Sequence, residues 1–417
     1  MLKSYTREEK SWMLYDWANS AFSAIVAAII LPVFFNTIAE SNGLSSVNAT
    51  AYWGYATSFG TLICAVLAPF LGTLGDFKDL KKKLFFIFMM LGIVSTFLLA
   101  FTNSWKKLLF FYILGTVGFA GSCIYYDSFL LDVTTPSRMD RVSSLGYGLG
   151  YIGGSTIPLV ISLVLIQFGS SFGITAMTAT KFSFILTALW WFVFSIPMLR
   201  NVQQKHSILP EKDIWGHTLR NMKHTLSMII GNKCVVFFLI AYFFYIDGVG
   251  TIIHMATVFG ASCGLKSMDM MVILLVVQIV AFPFAILYGR LADRFGAHRM
   301  ILFGIATYVL VCAVGFGLKE MKDFLILAVL VGTAQGGIQA LSRSFFGKLV
   351  PAEQAGEFFG FFDVFGKFSA VIGPAAFGIT AQLTGSTNYG VLAVMSMFVI
   401  GGVIMMFYVP KNGNTVQ

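Results

Sequence analysis

Six ionisable side chains lie inside long apolar stretches of this sequence, where charge is costly. A charged residue near the centre of a bilayer costs at least ~2.5–3.5 kcal/mol on insertion scales. Each of them therefore either lies nearer the membrane surface than the sequence suggests or is needed for function. Carboxylates combined with cationic groups could bind the opposite charges of a solute or carry a proton. The six residues are Asp16, Asp127, Asp247, Asp363, Lys367 and Arg343.

Asp247 is the deepest of these residues. About twelve residues of its apolar stretch lie on either side, which at ~1.5 Å rise per residue places it near the midplane. Gly248 and Gly250 follow it and predict local unwinding of the helix, which would free backbone carbonyls for a ligand.

Asp363 and Lys367 are spaced i,i+4, which places them on one face of a helix as a favourable ion pair. Two interpretations stay open. The pair is either a structural bridge whose charges neutralise each other, or a site where Lys367 meets a substrate carboxylate or changes partner with protonation.

Asp16 and Asp127 lie close to the ends of their apolar stretches. Asp16, followed by Asn19, is expected near the cytoplasmic mouth, with Trp12 and Trp17 in the membrane interface. Asp16 is either a gate or coupling site, or an acid favoured by the helix dipole. Asp127 is expected to help hold the same gate.

Gln335, Gln339 and Arg343 recur at four-residue spacing and form one stripe on a helix. Facing a cavity, the stripe would offer amides for hydrogen bonds and a guanidinium for a carboxylate or phosphate. Further aromatic and amide groups expected in the same cavity are Tyr125, Tyr126, Tyr245 and Gln278.

These side chains must be positioned by membrane-spanning helices. The chain of 417 residues is 57% hydrophobic and 11% charged, whereas soluble domains carry roughly 25% charge. Twelve apolar runs recur end to end, each near the ~20 residues that span a bilayer. We therefore predict an all-α polytopic membrane protein with twelve transmembrane helices.

The net positive charge of the chain indicates its membrane topology and does not point to a nucleic-acid partner. If the N-terminus is inside, 21 of the Lys and Arg residues fall on the inner side and 6 on the outer side. This asymmetry predicts that both termini are cytoplasmic in a cell (inner) membrane. The five cysteines show no paired spacing, so neither a disulfide framework nor a metal site is expected.

The chain divides into two similar parts. Residues 1–200 and 233–417 are each expected to form a six-helix bundle, joined by a cytoplasmic linker at 201–232. An amphipathic surface helix is predicted from Ile214 to Ile230. GTLGDF after the second run and GRLADRFGAHR after the eighth share a pattern: Gly72 and Asp76 match Gly289 and Asp293 at a constant offset of 217 positions. Such parallel repeats build the two halves of major facilitator transporters.

A run of glycines at four-residue spacing, Gly146, Gly150 and Gly154, predicts a small face for close helix packing. The same stretch also satisfies a dinucleotide-binding pattern. That pattern needs a preceding strand, which a transmembrane helix does not provide.

The repeated Gly-x-Leu-x-Asp-Arg pattern resembles the major facilitator signature, in which the Asp and Arg lock the cytoplasmic sides of the two halves together. The resemblance implies gating roles for Asp76, Asp293 and Arg294. The first copy departs from it, with Phe77-Lys78-Asp79 where the Arg and Gly would fall. The fold also implies that helices 1, 4, 7 and 10 line a cavity while helices 3, 6, 9 and 12 face lipid.

Several stretches together resemble one branch, the autophagy-related vacuole effluxer family and its bacterial relatives. They are YDWANSAF, YYDSFLLDV with RVSSLGYGLGYIGG, YFFYIDGVGTI, and GGIQALSRSFFGKLVP with EFFGFFDVFGKFSAVIGP. The resemblance implies twelve helices, alternating access and, from the fungal members, export of amino acids. The short linker and the lack of polar extensions favour a bacterial origin.

The sequence thus predicts a monomeric secondary transporter, not an enzyme, for a small polar or zwitterionic solute such as an amino acid or short peptide. Asp247 and Lys367 would contact the solute at the midplane, and Arg343 with the two glutamines would bind an anionic group. Asp16 or Asp247 would couple transport to protons or sodium, and no other cofactor is expected. The alternatives are a multidrug exporter and a non-transporting membrane sensor.

Overall fold

The computed structural model describes residues 4–209, 214–262, 267–317 and 321–410. Within these ranges the chain is helical, and its one β-type feature is an isolated bridge between Phe77 and Ile208. Twelve helical segments of the described chain are long and apolar enough to cross a membrane. The predicted all-α polytopic fold is therefore confirmed.

We number the segments as spans 1 to 12 in chain order and assign spans 1–6 to the first half and spans 7–12 to the second half. They are Arg7–Ser41, Ser46–Asp76, Lys81–Phe101, Trp105–Val133, Met139–Phe172, Ala176–Asn201, Lys233–Ser262, Ser267–Phe295, Ala297–Gly315, Met321–Leu349, Ala355–Thr384 and Thr387–Tyr408. Because the number of spans is even, span 1 begins and span 12 ends on the same side, called here the terminal side; the opposite side is the distal side.

Many large apolar side chains lie exposed on the outer surface of the described chain. Large apolar side chains are more than a third exposed on spans 3, 6, 9 and 12, for example Ile87, Leu189, Phe303 and Val403. Since a bilayer hides such surface from water, these faces are suited to lipid contact. Exposed apolar side chains also lie on spans 2, 5, 8 and 11, for example Val66, Val164, Ile279 and Ile379, so exposure does not single out the four spans expected to face lipid.

Two spans contain π-helical segments, Phe22–Ile29 in span 1 and Gly150–Thr156 in span 5. The two spans approach closely through the glycine face. A Cβ atom on Gly154 would lie 2.6 Å from the Ser20 Cβ, and one on Gly150 would lie 2.7 Å from the Ser20 hydroxyl oxygen. The predicted small packing face is present, although its π geometry was not anticipated.

The unwinding predicted after Asp247 is not observed, because span 7 is a continuous helix. Gly248 serves packing instead: a Cβ atom there would lie 2.6 Å from the Phe398 ring of span 12. The glycine thus lets two helices approach, and it does not release carbonyls for a ligand.

The connection between the halves is ordered where the structure describes it. A helix runs from Ile214 to Gly231, as predicted. Before it, the Gln204 side chain donates to the carbonyls of Gly75 at 3.0 Å and Phe77 at 3.2 Å, at the end of span 2. The start of the linker is therefore attached to the terminal end of span 2.

Gly154→Ala should lower the thermal unfolding midpoint of the purified protein, because the added methyl group meets Ser20 and the backbone carbonyl of Trp17, 2.7 Å away. Gly250→Ala is the matched control, since a Cβ at this glycine, in the middle of a helix, meets no atom within 4 Å. That variant should be neutral or slightly stabilising, because alanine favours helix. Equal effects of the two substitutions on the midpoint would contradict the packing role.

Candidate functional site

Arg343 of span 10 crosses from the second half into the first. Its Nε donates to the Ser143 hydroxyl at 2.9 Å, Nη1 to Asp127 Oδ1 at 3.0 Å and Nη2 to Asp16 Oδ2 at 3.2 Å. The guanidinium is 3% exposed. We call these four residues the Arg343 network. It places one cation between two carboxylates of the opposite half.

Aromatic rings of the first half enclose the same guanidinium. Its central carbon lies 4.7 Å from the Trp12 ring centroid, 5.2 Å from Tyr126 and 4.3 Å from Tyr147. The Tyr126 hydroxyl also donates to Asp16 Oδ2 at 2.7 Å. Cation–π attraction strengthens when the cation is desolvated, so the rings stabilise the charge and hold its partner.

The network makes separation of the halves costly. A buried ion pair that loses one partner leaves an uncompensated charge, which costs ~3–5 kcal/mol. Because the partners belong to different halves, the two halves can part here only if water or a ligand replaces these contacts.

Asp76 forms a second contact between the halves. Its carboxylate, 1% exposed, accepts the backbone N–H groups of Gly356 at 2.7 Å and Glu357 at 2.8 Å. These N–H groups open span 11 and have no partner within their helix. The backbones come close, since a Cβ atom on Gly72 would lie 2.2 Å from the Gly356 carbonyl oxygen. Asp76 therefore caps a helix of the opposite half.

The second signature copy reaches across in the other direction. Asp293, at the end of span 8, pairs with Arg141 near the start of span 5. Next to it, Asp140 of the first half accepts from Ser344 at 2.7 Å and Lys348 at 2.6 Å. Both predicted signature aspartates thus contact the opposite half at the terminal side.

Arg294 does not take part in these contacts as the signature suggested. It is exposed, and its guanidinium lies 5.4 Å from the ring of its neighbour Phe295. The interface interpretation of Trp12 was also wrong, because this side chain is fully buried and stacks on Tyr126 at 4.4 Å.

A second cluster of charged side chains lies near the Arg343 network. Asp363 and Lys367 of span 11 form the predicted i,i+4 ion pair, with 25% and 18% of their side chains exposed. The Asp127 side chain is 24% exposed. Span 11 packs directly against span 4, which carries Asp127. Charges from both halves therefore converge on one region and keep accessible surface there.

Asp247 lies elsewhere. It is 1% exposed, and its carboxylate accepts the Gly373 backbone N–H at 2.9 Å and the Thr251 hydroxyl at 3.5 Å. These partners belong to the second half. The structure thus gives Asp247 hydrogen bonds inside its own bundle, and its contact with a solute stays a prediction.

The remaining polar residues predicted for the cavity also lie in different parts of the structure. Gln335 and Gln278 line a cavity of about 100 Å³ inside the second half, and the side-chain oxygen of neither has a hydrogen-bond partner in the described chain. Tyr245 contacts the Ser342 hydroxyl at 2.7 Å, also within that half. Gln339 instead accepts from Tyr151 of the first half at 3.2 Å. The predicted stripe on span 10 is therefore divided between two environments.

Within the first half, Asn19 is 4% exposed and donates to the Cys123 sulfur at 3.5 Å. Sequence reasoning missed Ser143, Tyr147 and Glu357. The first two stand in RVSSLGYG, where Ser143 precedes the glycine face and Tyr147 directly follows its first glycine, Gly146. Their proximity to that face is the one signal that could have pointed to them.

Comparisons with known proteins agree with this architecture. A family model described as vacuole effluxer Atg22 like matches residues 5–416. The chain is 46% identical to an uncharacterized MFS-type transporter, YxiO, of Bacillus subtilis, covering 100% of this chain and 97% of the relative. It is 23% identical to autophagy-related protein 22 of Vanderwaltozyma polyspora, covering 93% and 88%.

Solved structures share the fold. The major facilitator superfamily proton:xylose symporter XylE superposes with a TM-score of 0.72 at 13% identity, over 98% of this chain and 97% of that chain. Fold and relatives are those of secondary transporters in membranes and not of enzymes. The chain therefore belongs to the vacuole effluxer Atg22-like family, within the MFS-type transporters.

Proposed function

We propose that this protein moves a small zwitterionic solute, an amino acid or short peptide, across a bacterial cell membrane by alternating access. The observation that carries the proposal is the partly exposed Asp363–Lys367 pair within a span, beside Asp127. A carboxylate and an ammonium group side by side match the two charges of a zwitterion.

Exchange of ion-pair partners explains how such a solute could bind. Its carboxylate would take Lys367, while its ammonium group would take Asp363 or Asp127. Each protein charge then leaves one partner and gains another, so no buried charge is left alone. A neutral apolar solute offers no such exchange.

The Arg343 network and Asp76 would form the gate. Their contacts join the halves at the terminal side, so this conformation is closed there. We infer from the distribution of basic residues that the terminal side is cytoplasmic. Opening toward the cytoplasm would then require Arg343 to leave Asp16 and Asp127, and Asp76 to leave the start of span 11.

Flux into proteoliposomes tests the function directly. Purified protein would be reconstituted, and uptake of radiolabelled amino acids and dipeptides measured with and without a proton or sodium gradient. Saturable flux of zwitterions supports the proposal. Flux restricted to large apolar cations would favour a multidrug exporter, and solute binding without flux would favour a sensor.

Lys367→Gln should reduce kcat/KM for the zwitterion roughly 10- to 100-fold. A hydrogen bond to a charged group contributes ~1.5–3 kcal/mol, and every 1.4 kcal/mol is a factor of ten. The measurement is initial uptake rate against solute concentration in proteoliposomes. Lys107→Gln, at an exposed position on the distal side, is the control and should transport normally. Unchanged kinetics for Lys367→Gln would remove the pair from the solute site.

Arg343→Gln should loosen closure of the terminal side. Cys123 lies one helical turn before Asp127, behind the Arg343 network, so its labelling reports opening. In a variant that keeps Cys123 and replaces the other four cysteines with serine, a membrane-impermeant maleimide applied from the terminal side should react faster when Arg343 is replaced. Arg299→Gln, exposed on the same side, should leave the labelling rate unchanged. Equal rates in both variants would show that Arg343 does not hold the gate.

A further inference from the structure

Glu357 is a buried acid that the Arg343 network does not use. It lies in the first turn of span 11 and is fully buried. Neither of its carboxyl oxygens has a hydrogen-bond partner in the described part of the chain. A buried ionised carboxylate without partners is strongly unfavourable, so this side chain needs a ligand or a neutral form.

The neighbouring charges do not supply a counter-ion. Asp76 is the charged group that acts on Glu357 among the described residues, and it carries the same sign. The ammonium group of Lys81 acts on Asp76, but it is bonded to Asp132 at 2.9 Å. Two carboxylates in one buried site disfavour double ionisation.

The start of span 11 does not compensate Glu357 either. Its free N–H groups would ordinarily favour an acidic side chain in the first turn. Here the N–H groups of Gly356 and Glu357 are both donated to Asp76, at 2.7 and 2.8 Å. Asp76 therefore stays an acceptor, and Glu357 is the carboxyl group without a donor.

Two threonine hydroxyls complete the site. Thr73 of span 2 and Thr225 of the linker helix lie beside Glu357. Thr73 donates its proton to the Pro69 carbonyl at 2.9 Å. Thr225 is fully buried, and its hydroxyl oxygen has no partner in the described chain. An unpaired hydroxyl therefore lies near Glu357, with no hydrogen bond between the two groups in this conformation.

We propose that Glu357 binds one proton when the terminal side is closed and releases it to water on that side when span 11 separates from span 2. The proton neutralises the buried carboxyl group and gives it an O–H donor directed at Thr225 or Asp76. In the open conformation water solvates Glu357, which then ionises at neutral pH as an exposed glutamate does. At neutral pH each closure would take up one proton.

A metal ion fits this site less well. Both Asp76 oxygens are already bonded to backbone donors. The described residues contain no group of three His, Cys, Asp or Glu side chains placed to hold a metal. Two free carboxyl oxygens and one hydroxyl are too few for a cation that takes six or more oxygen ligands.

Infrared difference spectroscopy of the reconstituted protein tests the proton directly. At neutral pH the wild type should show a protonated-carboxyl band that Glu357→Gln removes. Glu353→Gln, exposed and one turn earlier, should keep it. Thr225→Val should shift the band without removing it, a spectral change that damage to folding would not produce. A wild-type spectrum identical to that of Glu357→Gln would overturn the proposal.

Closure should depend on pH through the same residue. One proton bound only in the closed form changes the closed-to-open ratio by up to about tenfold per pH unit, in favour of opening as pH rises. Since a maleimide reacts with the thiolate, Cys123 labelling rises with pH in every variant, and the rise should be steeper in the wild type and in Glu353→Gln than in Glu357→Gln. Glu357→Gln should remove the part of the pH dependence of the labelling rate that comes from Glu357. An unchanged pH profile in Glu357→Gln, or a sodium response of the wild type at fixed pH that Glu357→Gln removes, would overturn the proposal.

The inference rests on the proposed alternation between two conformations, but neither measurement needs a transported solute. A Glu357 band with no flux of any solute would contradict the proposed function alone. Zwitterion flux without the band would contradict the proton site alone.

Discussion

The contact between the two halves depends on the positive charge of Arg343, which needs partners in the low-dielectric interior of the protein. Arg343 belongs to the second half, yet its carboxylate partners and the rings that enclose it belong to the first half. Because the penalty for an unpaired buried charge is several kcal/mol, intermediate separations of the halves are disfavoured. The interface is suited to two arrangements, paired and water-filled, which the proposed alternating access requires.

The backbone contact at Asp76 complements this ion pair by different means. It uses the unpaired N–H groups at the start of a helix, and glycines on both sides permit the close approach. The second signature copy uses a side-chain pair between Asp293 and Arg141 instead. The two repeats therefore keep the same aspartate but differ in its partner. The first contact depends on backbone geometry, and the second depends on a flexible arginine.

The linker also supports the contact that Asp76 forms with the start of span 11. Asp132 accepts the backbone N–H groups of Lys205 and His206 at 2.9 Å, and it also pairs with Lys81. Asp132 belongs to span 4, whereas the neighbouring Gln204 bonds to the end of span 2, where Asp76 is located. Thr225 of the linker helix then lies beside Glu357. Any separation of spans 2 and 11 would alter the surroundings of that buried acid.

Local pattern and hydropathy were sufficient to predict the twelve spans, the glycine face and the Asp363–Lys367 pair, because each depends on residues close in sequence. The partners of Arg343 lie 200, 216 and 327 positions away, and helical periodicity carries no information on such pairings. The same limit explains Asp247, whose depth could be predicted but whose bond to Gly373 could not. It also applies to Glu357, because the sequence alone shows only an acidic residue in the first turn of a helix and not its burial. Only the approach of the two halves and the linker decides which charges are paired, which remain accessible and which are buried alone.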